Sequence, residues 1–321
     1  MMRHGWETTT TDLLDGRSIS GRRMLVTGGS SGLGLETARS LAAHGAEVII
    51  TVRDVARGER AAATVRATAA PGASVDVRQL DLESLASVRA CADGLLAEGR
   101  PIDVLFANAG VMACPQGRTR DGFETQLGTN HIGHFVLANS LVPLVAKSGA
   151  GRVVVTSSAG HRLADVNLDD PNFERSAYDP WQAYGRAKTA NVLYSVELDR
   201  RVKSRGVRAC AVHPGAIHTE LARHLTSESI AAMQKIIDAA GPDGLQFKSI
   251  PQGAATQVWA GVVADPATIG GRYCEDCGVA ERDDGPNTVG GVRSYAVDPA
   301  RARALWSRTE EWAKQRFPLD K

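Results

Sequence analysis

The stretch Thr27-Gly28-Gly29-Ser30-Ser31-Gly32-Leu33-Gly34 constrains the fold more than any other part of this 321-residue chain. It follows a short β-branched apolar run ending at Thr27 and opens a segment, Leu33–His44, with the length and spacing of a helix. Glycine tolerates positive φ, so glycines at this density let the chain turn sharply and bring bare backbone close to a ligand. A helix that starts directly after such a turn aims its free N–H groups at whatever occupies the turn. Strand, glycine turn and helix in that order are the setting in which a glycine-rich run binds phosphate rather than merely bending the chain.

The alternation continues downstream. Strands are predicted at Met24–Thr27, Val48–Val52, Val75–Leu80, Val104–Ala107, Val153–Thr156 and Arg208–Val212, and helices at Leu33–His44, Val55–Ala70, Ser84–Ala97, Asp121–Lys147 and Trp181–Arg205. Most of these strands are apolar almost throughout, as strands buried on both faces of a parallel sheet are. The pattern predicts an α/β fold: a single doubly wound, Rossmann-type parallel sheet with helices on both faces. No repeat or Gly/Ser/Pro linker divides the chain, so residues 21–321 are expected to form one domain behind a polar leader, 1–20. Two segments interrupt the rhythm after carboxyl ends of strands, where open α/β sheets bind ligands: Gly160–Pro180 and Thr219–Ile250. The second is rich in Ala, Ile, Leu and Met, with His218, His224 and Met233, and is expected to form a helical lid around 219–250.

Composition excludes several classes. With 37 Lys+Arg against 36 Asp+Glu, the formal charge of +1 argues against a nucleic-acid surface. No apolar run approaches the roughly 20 residues of a membrane span, and Met1–Ser20 lacks the apolar core of a signal peptide. Five scattered cysteines fit reduced thiols and a cytoplasmic location. Cys274-Glu275-Asp276-Cys277 has no second pair nearby, so it reads as two small packing residues after a strand. His131 and His134 lie three apart with no evident third ligand, so no metal is expected.

Further motifs follow the glycine loop in a fixed order: Asp81-Leu82, Asn108-Ala109-Gly110, Asn130-His131, Ser157-Ser158, Tyr184-x-x-x-Lys188 and Pro214-Gly215. With its GxxxGxG spacing, Arg23 to Tyr273 resembles the short-chain dehydrogenase/reductase family. The departure is Ala107, where the family usually carries a first Asn in Asn-Asn-Ala-Gly. The resemblance implies an oxidoreductase with a nicotinamide dinucleotide held by Gly28, Ser30, Ser31, Gly32, Leu33, Gly34, Asp81, Leu82, Asn108, Ala109 and Gly110. It further implies that the segment from Pro214 and Gly215 closes over the nicotinamide amide, with Ile217 and Thr219 as contacts.

Charge bears on which dinucleotide is preferred. NAD-preferring members accept the adenosine ribose hydroxyls with a carboxylate at the end of the second strand. Aligned with the family, that position is Val52, and Arg53 follows it. A guanidinium without a carboxylate suits a 2′-phosphate, so NADP(H) is expected over NAD(H). Asp54 lies about 20 residues after Gly34, the rough distance of a ribose-binding acid, but is read as the N-cap of the next helix.

Tyr184 and Lys188, spaced i, i+4, share one helix face. A free phenol ionises near pH 10, whereas a nearby ammonium and an oxidised nicotinamide would both favour the phenolate. Tyr184 is therefore the expected general acid–base. Ser158 would donate to the substrate oxygen, and Lys188 would also hold the nicotinamide ribose. By resemblance, Asn130 would anchor a water linking Lys188 to solvent. Tyr178, ten residues before Lys188, is a decoy, and His213 is read as structural rather than as a base.

The 26 residues from Ser158 to Tyr184, Asn167-Leu168-Asp169-Asp170 and His213-Pro214-Gly215 resemble the retinol-dehydrogenase-like branch. With the apolar lid, this implies an apolar aldehyde, ketone or alcohol as substrate; the apolar N-terminal anchor of eukaryotic members is missing from this chain, so retinol itself is not carried over. An enoyl reductase would place its tyrosine where Gln182 or Trp181 stand, and an epimerase-type member would show different glycine spacing. A non-catalytic NADP-sensing regulator is the alternative of another class. The helices Asp121–Lys147 and Trp181–Arg205 resemble those that pair across family dimers, implying a homodimer or homotetramer.

Overall fold

The computed structural model describes residues 4–231, 235, 246–286 and 290–320. Six strands follow the predicted order: β1 (Arg23–Thr27), β2 (Glu47–Val52), β3 (Ser74–Gln79), β4 (Val104–Ala107), β5 (Arg152–Thr156) and β6 (Arg208–His213). Between them run α2 (Gly32–Ala42), α3 (Val55–Arg66), α4 (Leu85–Glu98), α6 (Gly133–Ala146) and α7 (Pro180–Val202), with α1 (Thr10–Leu14) ahead of β1. The three residues of α5 (Thr125–Leu127) and a π-helical turn at Gly128–Ile132 lead without a break into α6.

Two more strands, β9 (Tyr273–Glu275) and β10 (Gly278–Val279), complete an eight-stranded sheet ordered β10-β9-β6-β5-β4-β1-β2-β3. Every pairing in it is parallel except β9 with β10. β1 pairs with β2 on one side and β4 on the other, so the chain reverses direction across the sheet at β1 and opens a crevice at the carboxyl ends of β1 and β4. Successive strand residues feed opposite layers: Leu25 joins the cluster of Phe135, Leu141 and Leu193, while Met24 and Val26 join that of Leu41 and Val258.

The CxxC does not follow a strand: Cys274 lies within β9, and the motif forms the β9–β10 hairpin. Asp276 and Cys277 occupy its turn with φ of 48° and 55°, the left-handed pair that a two-residue hairpin loop needs. Both cysteines are buried and free. Three residues of β9 are too few to show a period, which is why the strand is invisible in the sequence.

The polar opening segment is docked from Thr10 onward. Leu13 and Leu14 are buried, and the Thr10 hydroxyl donates to Glu36 in α2 at 2.5 Å. At the other end, α10 (Pro299–Ala313), following α8 (Ile250–Val258) and α9 (Pro266–Ile269), lies along α7. Trp306 stacks on Tyr194 at 6.0 Å and meets Phe135 edge-on at 4.9 Å, with Phe317 a further 5.6 Å partner of Phe135. The helices expected to pair across a dimer are thus covered there by the chain's own C-terminal segment. The expected lid is described at its ends only. A 3-10 turn, Glu220–His224, opens it, and β7 (Ala216–Ile217) pairs in parallel with β8 (Phe247–Lys248) to join entry and exit. Residues 232–234 and 236–245, Met233 among them, lie outside the described residues.

Candidate active site

A cleft of about 630 Å³ runs along the carboxyl edge of the sheet. Every site residue expected from the sequence lies on its wall, from Gly28 and Arg53 through Asn108 to Tyr184 and Thr219, except Asn130. At one end the backbone is packed too closely for side chains. A Cβ on Gly34 would meet Gly28 O at 2.3 Å and Asn108 Nδ2 at 2.6 Å, and one on Gly28 (φ +70°) would meet Ala109 Cβ at 2.9 Å. Thr27 locks this arrangement: its Oγ1 accepts from Asn108 N at 2.9 Å and Ala109 N at 3.0 Å, while its carbonyl accepts from Asn108 Nδ2 at 2.8 Å.

Ser31 is the N-cap of α2 but makes no side-chain capping bond, unlike Asp54, Ser84 and Asp179 at the starts of α3, α4 and α7. The first turn of α2 therefore faces the cleft with its N–H groups unsatisfied by a cap, as a helix that receives an anion should. A glycine cradle and an uncapped helix end beside it fit a dinucleotide diphosphate. Asp54 Oδ1 accepts from Arg57 N at 3.0 Å, confirming it as a cap. Arg53 lies 71% exposed at the side chain, 3.7 Å from Glu83.

At the other end, β5 delivers Ser157 and Ser158, and the first turns of α7 deliver Tyr184 and Lys188. Ser157 Oγ donates to Lys188 O at 2.8 Å, tying strand end to helix. Lys188 Nζ donates to Thr156 O at 3.0 Å and stands 5.5 Å from the Tyr184 ring centroid. The π-turn reaches the same place from below. Asn130 Oδ1 accepts from Val111 N at 2.8 Å and Nδ2 donates to Val111 O at 2.9 Å, so its side chain secures the loop after β4. A Cβ on Gly110 would come within 2.9 Å of Asn130 Oδ1 and 3.8 Å of Lys188 Nζ.

Burial dominates the electrostatics at Tyr184. Burial pushes its phenol up to about 12, with a hydrogen bond from Ser158 pulling the other way. Burial lowers Lys188 to about 8. The ammonium bonds Thr156 O and not the phenol, so desolvation sets the direction of the shift at Tyr184. His213, also on the cleft wall, accepts at Nδ1 from Ala159 N at 3.2 Å, and burial lowers it to about 3. Tyr178 is off the cleft wall, hydrogen-bonded to Cys114 O at 2.9 Å.

The short chain dehydrogenase family matches residues 22–229. This chain belongs to the short-chain dehydrogenase/reductase family. It is 44% identical over 294 residues to a probable oxidoreductase of Streptomyces lividans, covering 90% of this chain and 96% of that one. It is 39% identical over 302 residues to mouse retinol dehydrogenase 14, covering 91% and 86% respectively. Among solved structures, a short chain dehydrogenase from Burkholderia cenocepacia in complex with NADP is 25% identical with a TM-score of 0.63, covering 82% of this chain and 99% of that one. The family binds nicotinamide cofactors, and the chain is an oxidoreductase. No helix among the described residues is long and apolar enough to cross a membrane.

For a short-chain dehydrogenase/reductase, the cleft also shows residues that sequence reasoning missed. Beyond Tyr184 its wall includes Met112, Leu163, Trp181, Leu221, Phe247 and Pro286. Trp181 Nε1 donates to Ser229 O at 3.2 Å, tying the start of α7 to the segment after Thr219. Arg162 and Arg293 reach the same wall, donating to the carbonyls of Gly290 at 2.8 Å and Gly285 at 2.7 Å respectively. Arg57, four residues after Arg53 on the first turn of α3, adds a second guanidinium to the opposite end. Its signal was available as an Arg-x-x-x-Arg spacing across a strand end and helix start; the others come together only through tertiary contacts.

Proposed function

We propose that this protein is an NADP(H)-dependent oxidoreductase interconverting an apolar aldehyde or ketone with its alcohol. The observation that carries the reading is a single cleft with Ser158, Tyr184 and Lys188 at one end and two guanidiniums, Arg53 and Arg57, at the other. The carboxylate at the end of β2, Asp54, is engaged as a helix cap. Such a pairing favours a cofactor with an extra phosphate. The first turn of α2 and the loop Gly28–Gly34 would hold its diphosphate. Asp81, Leu82 and Asn108–Gly110 would flank the adenosine side, and Pro214, Gly215, Ile217 and Thr219 the nicotinamide amide.

When bound, the nicotinamide supplies or accepts the hydride. In the reducing direction, the Tyr184 hydroxyl gives its proton to the developing alkoxide, and the Ser158 hydroxyl donates to the same oxygen. Lys188, fixed on Thr156 O, keeps a positive charge beside the Tyr184 ring and eases loss of the proton. Asn130 holds the Gly110–Val111 backbone against Lys188, and a water there would serve as proton supply. Leu163, Trp181 and Phe247 support an apolar substrate. Residues 21–321 would then be one catalytic domain, with 219–250 as its substrate lid, and the free thiols suit a cytoplasmic setting. Self-association as a dimer or tetramer would have to use a face other than the part of α6 and α7 covered by α10.

The test is NADPH oxidation against a panel of apolar aldehydes and ketones, with NADH alongside. Turnover of at least one class with NADPH preferred supports the reading. Tight NADPH binding with no turnover across the panel would point to a cofactor-sensing regulator instead.

A further inference from the structure

The lid begins by closing an ion pair over the cofactor end of the cleft. Glu220, the first residue of the 3-10 turn after Thr219, accepts a hydrogen bond from the Arg57 guanidinium, 163 residues away in sequence on α3. The Ser31 side chain hydrogen-bonds the same carboxylate, and Arg223 lies close enough to act on it electrostatically. Thr219, next in the chain, sits 3.5 Å from where a Cβ of Gly32 would be, so this contact lies directly over the glycine turn. All four residues, Ser31, Arg57, Glu220 and Arg223, line the cleft.

The donors gathered on Glu220 are of the kind that recognise a phosphate: a guanidinium, a hydroxyl at a helix N-cap and a second nearby guanidinium. The carboxylate is an anion supplied by the chain itself and occupies them. We propose that Glu220 is a specificity-determining residue that competes with the 2′-phosphate of the dinucleotide for Arg57 and so moderates the preference for NADP(H) over NAD(H). This rests on the NADP reading above. Only a cofactor with the extra phosphate must displace Glu220 from Arg57; one without it leaves the pair intact. The side chains of Arg57 and Glu220 are 44% and 53% exposed, so the pair adds little to fold stability. Its effect is on which ligand holds the guanidinium.

The test measures binding by calorimetry at fixed low ionic strength, using 2′,5′-ADP and 5′-AMP as probes on the full chain. In Glu220→Gln, 2′,5′-ADP should bind roughly three- to fivefold tighter, the factor an exposed charge contact gives, while 5′-AMP is unchanged. In Arg57→Ala combined with Glu220→Gln, that gain should vanish. KM for NADPH in Glu220→Gln should fall in parallel while KM for NADH stays fixed. No change, an equal change for both probes, or a gain that survives in the double variant would overturn the role of Glu220. Wild-type protein that binds 2′,5′-ADP no more tightly than 5′-AMP would count against the NADP reading; the shift on substituting Glu220 still decides the inference separately.

Discussion

Lys188 donates to the main-chain oxygen of Thr156 at 3.0 Å, and this bond, not one to Tyr184, fixes its ammonium in the cleft. The i, i+4 spacing puts both side chains on one face of α7, but the sheet end decides where the lysine points. Burial leaves Lys188 with a pKa of about 8, below its ordinary value, so its charge is lost as pH rises through that range. Carbonyl reduction needs both that charge and the Tyr184 proton. kcat/KM for reduction should therefore be level below about pH 8 and fall above it. In Lys188→Arg the fall should move to higher pH, because a guanidinium stays charged. A profile flat to pH 10 would remove Lys188 from the titration.

Four imidazoles with lowered pKa values predict a second pH effect, on stability. His131 and His213 are lowered to about 3, and His134 and His161 to about 4, in each case chiefly by burial. Their unfolded value is near 6.5. Since the folded pKa is the lower one, the unfolded chain binds these protons first. Stability is complete above about pH 6.5 and is lost as pH falls toward 4, by up to about 1.4 kcal/mol per pH unit for each imidazole that titrates. Urea midpoints should hold between pH 7.5 and about 6.5 and then drop steadily toward pH 5; a midpoint constant over the whole interval would show that the imidazoles are solvated or paired.

Glycines at two positions should respond oppositely to alanine. A Cβ on Gly34 would press into Gly28 O and Asn108 Nδ2, so Gly34→Ala should lower stability by about 1–3 kcal/mol and weaken dinucleotide binding. Gly94 lies inside α4 with nothing within 4 Å of a Cβ, so Gly94→Ala should stabilise by roughly 0.5–1 kcal/mol. Thermal unfolding of the two variants separates close packing from helix propensity.

Much of this arrangement was legible in the sequence because its signals are local. Most of the six main strands announced themselves by nearly continuous apolar runs, and Gly28–Gly34 by its place between strand and helix. Asp54 read correctly as a cap from its position alone. What stayed hidden depends on distant partners. The three residues of β9 pair with β6 only after the chain has returned across the sheet. The C-terminal helix shows Trp306 and Leu305 in its sequence but not that they cover Tyr194 and Phe135. Tyr184 shows why electrostatics resist reading from spacing: the ammonium is near, yet a backbone oxygen holds it and burial sets the sign.

The cofactor preference has its own test at Arg53. Its side chain is largely exposed, with only a 3.7 Å approach to Glu83, so truncation should leave the fold intact. Arg53→Ala should raise KM for NADPH about tenfold and leave KM for NADH nearly unchanged, consistent with loss of one charged contact to a phosphate. Equal effects on both cofactors would remove Arg53 from 2′-phosphate recognition.

The central claim, that Tyr184 is the acid–base of an oxidoreductase cleft, is met most directly by Tyr184→Phe. The substitution removes one hydroxyl from a ring that is 4% exposed and leaves its packing in place. NADPH should bind with unchanged Kd, while turnover of the best apolar carbonyl falls by about 10²–10⁴-fold. Turnover within a few-fold of the unsubstituted protein, at equal cofactor binding, would contradict the account.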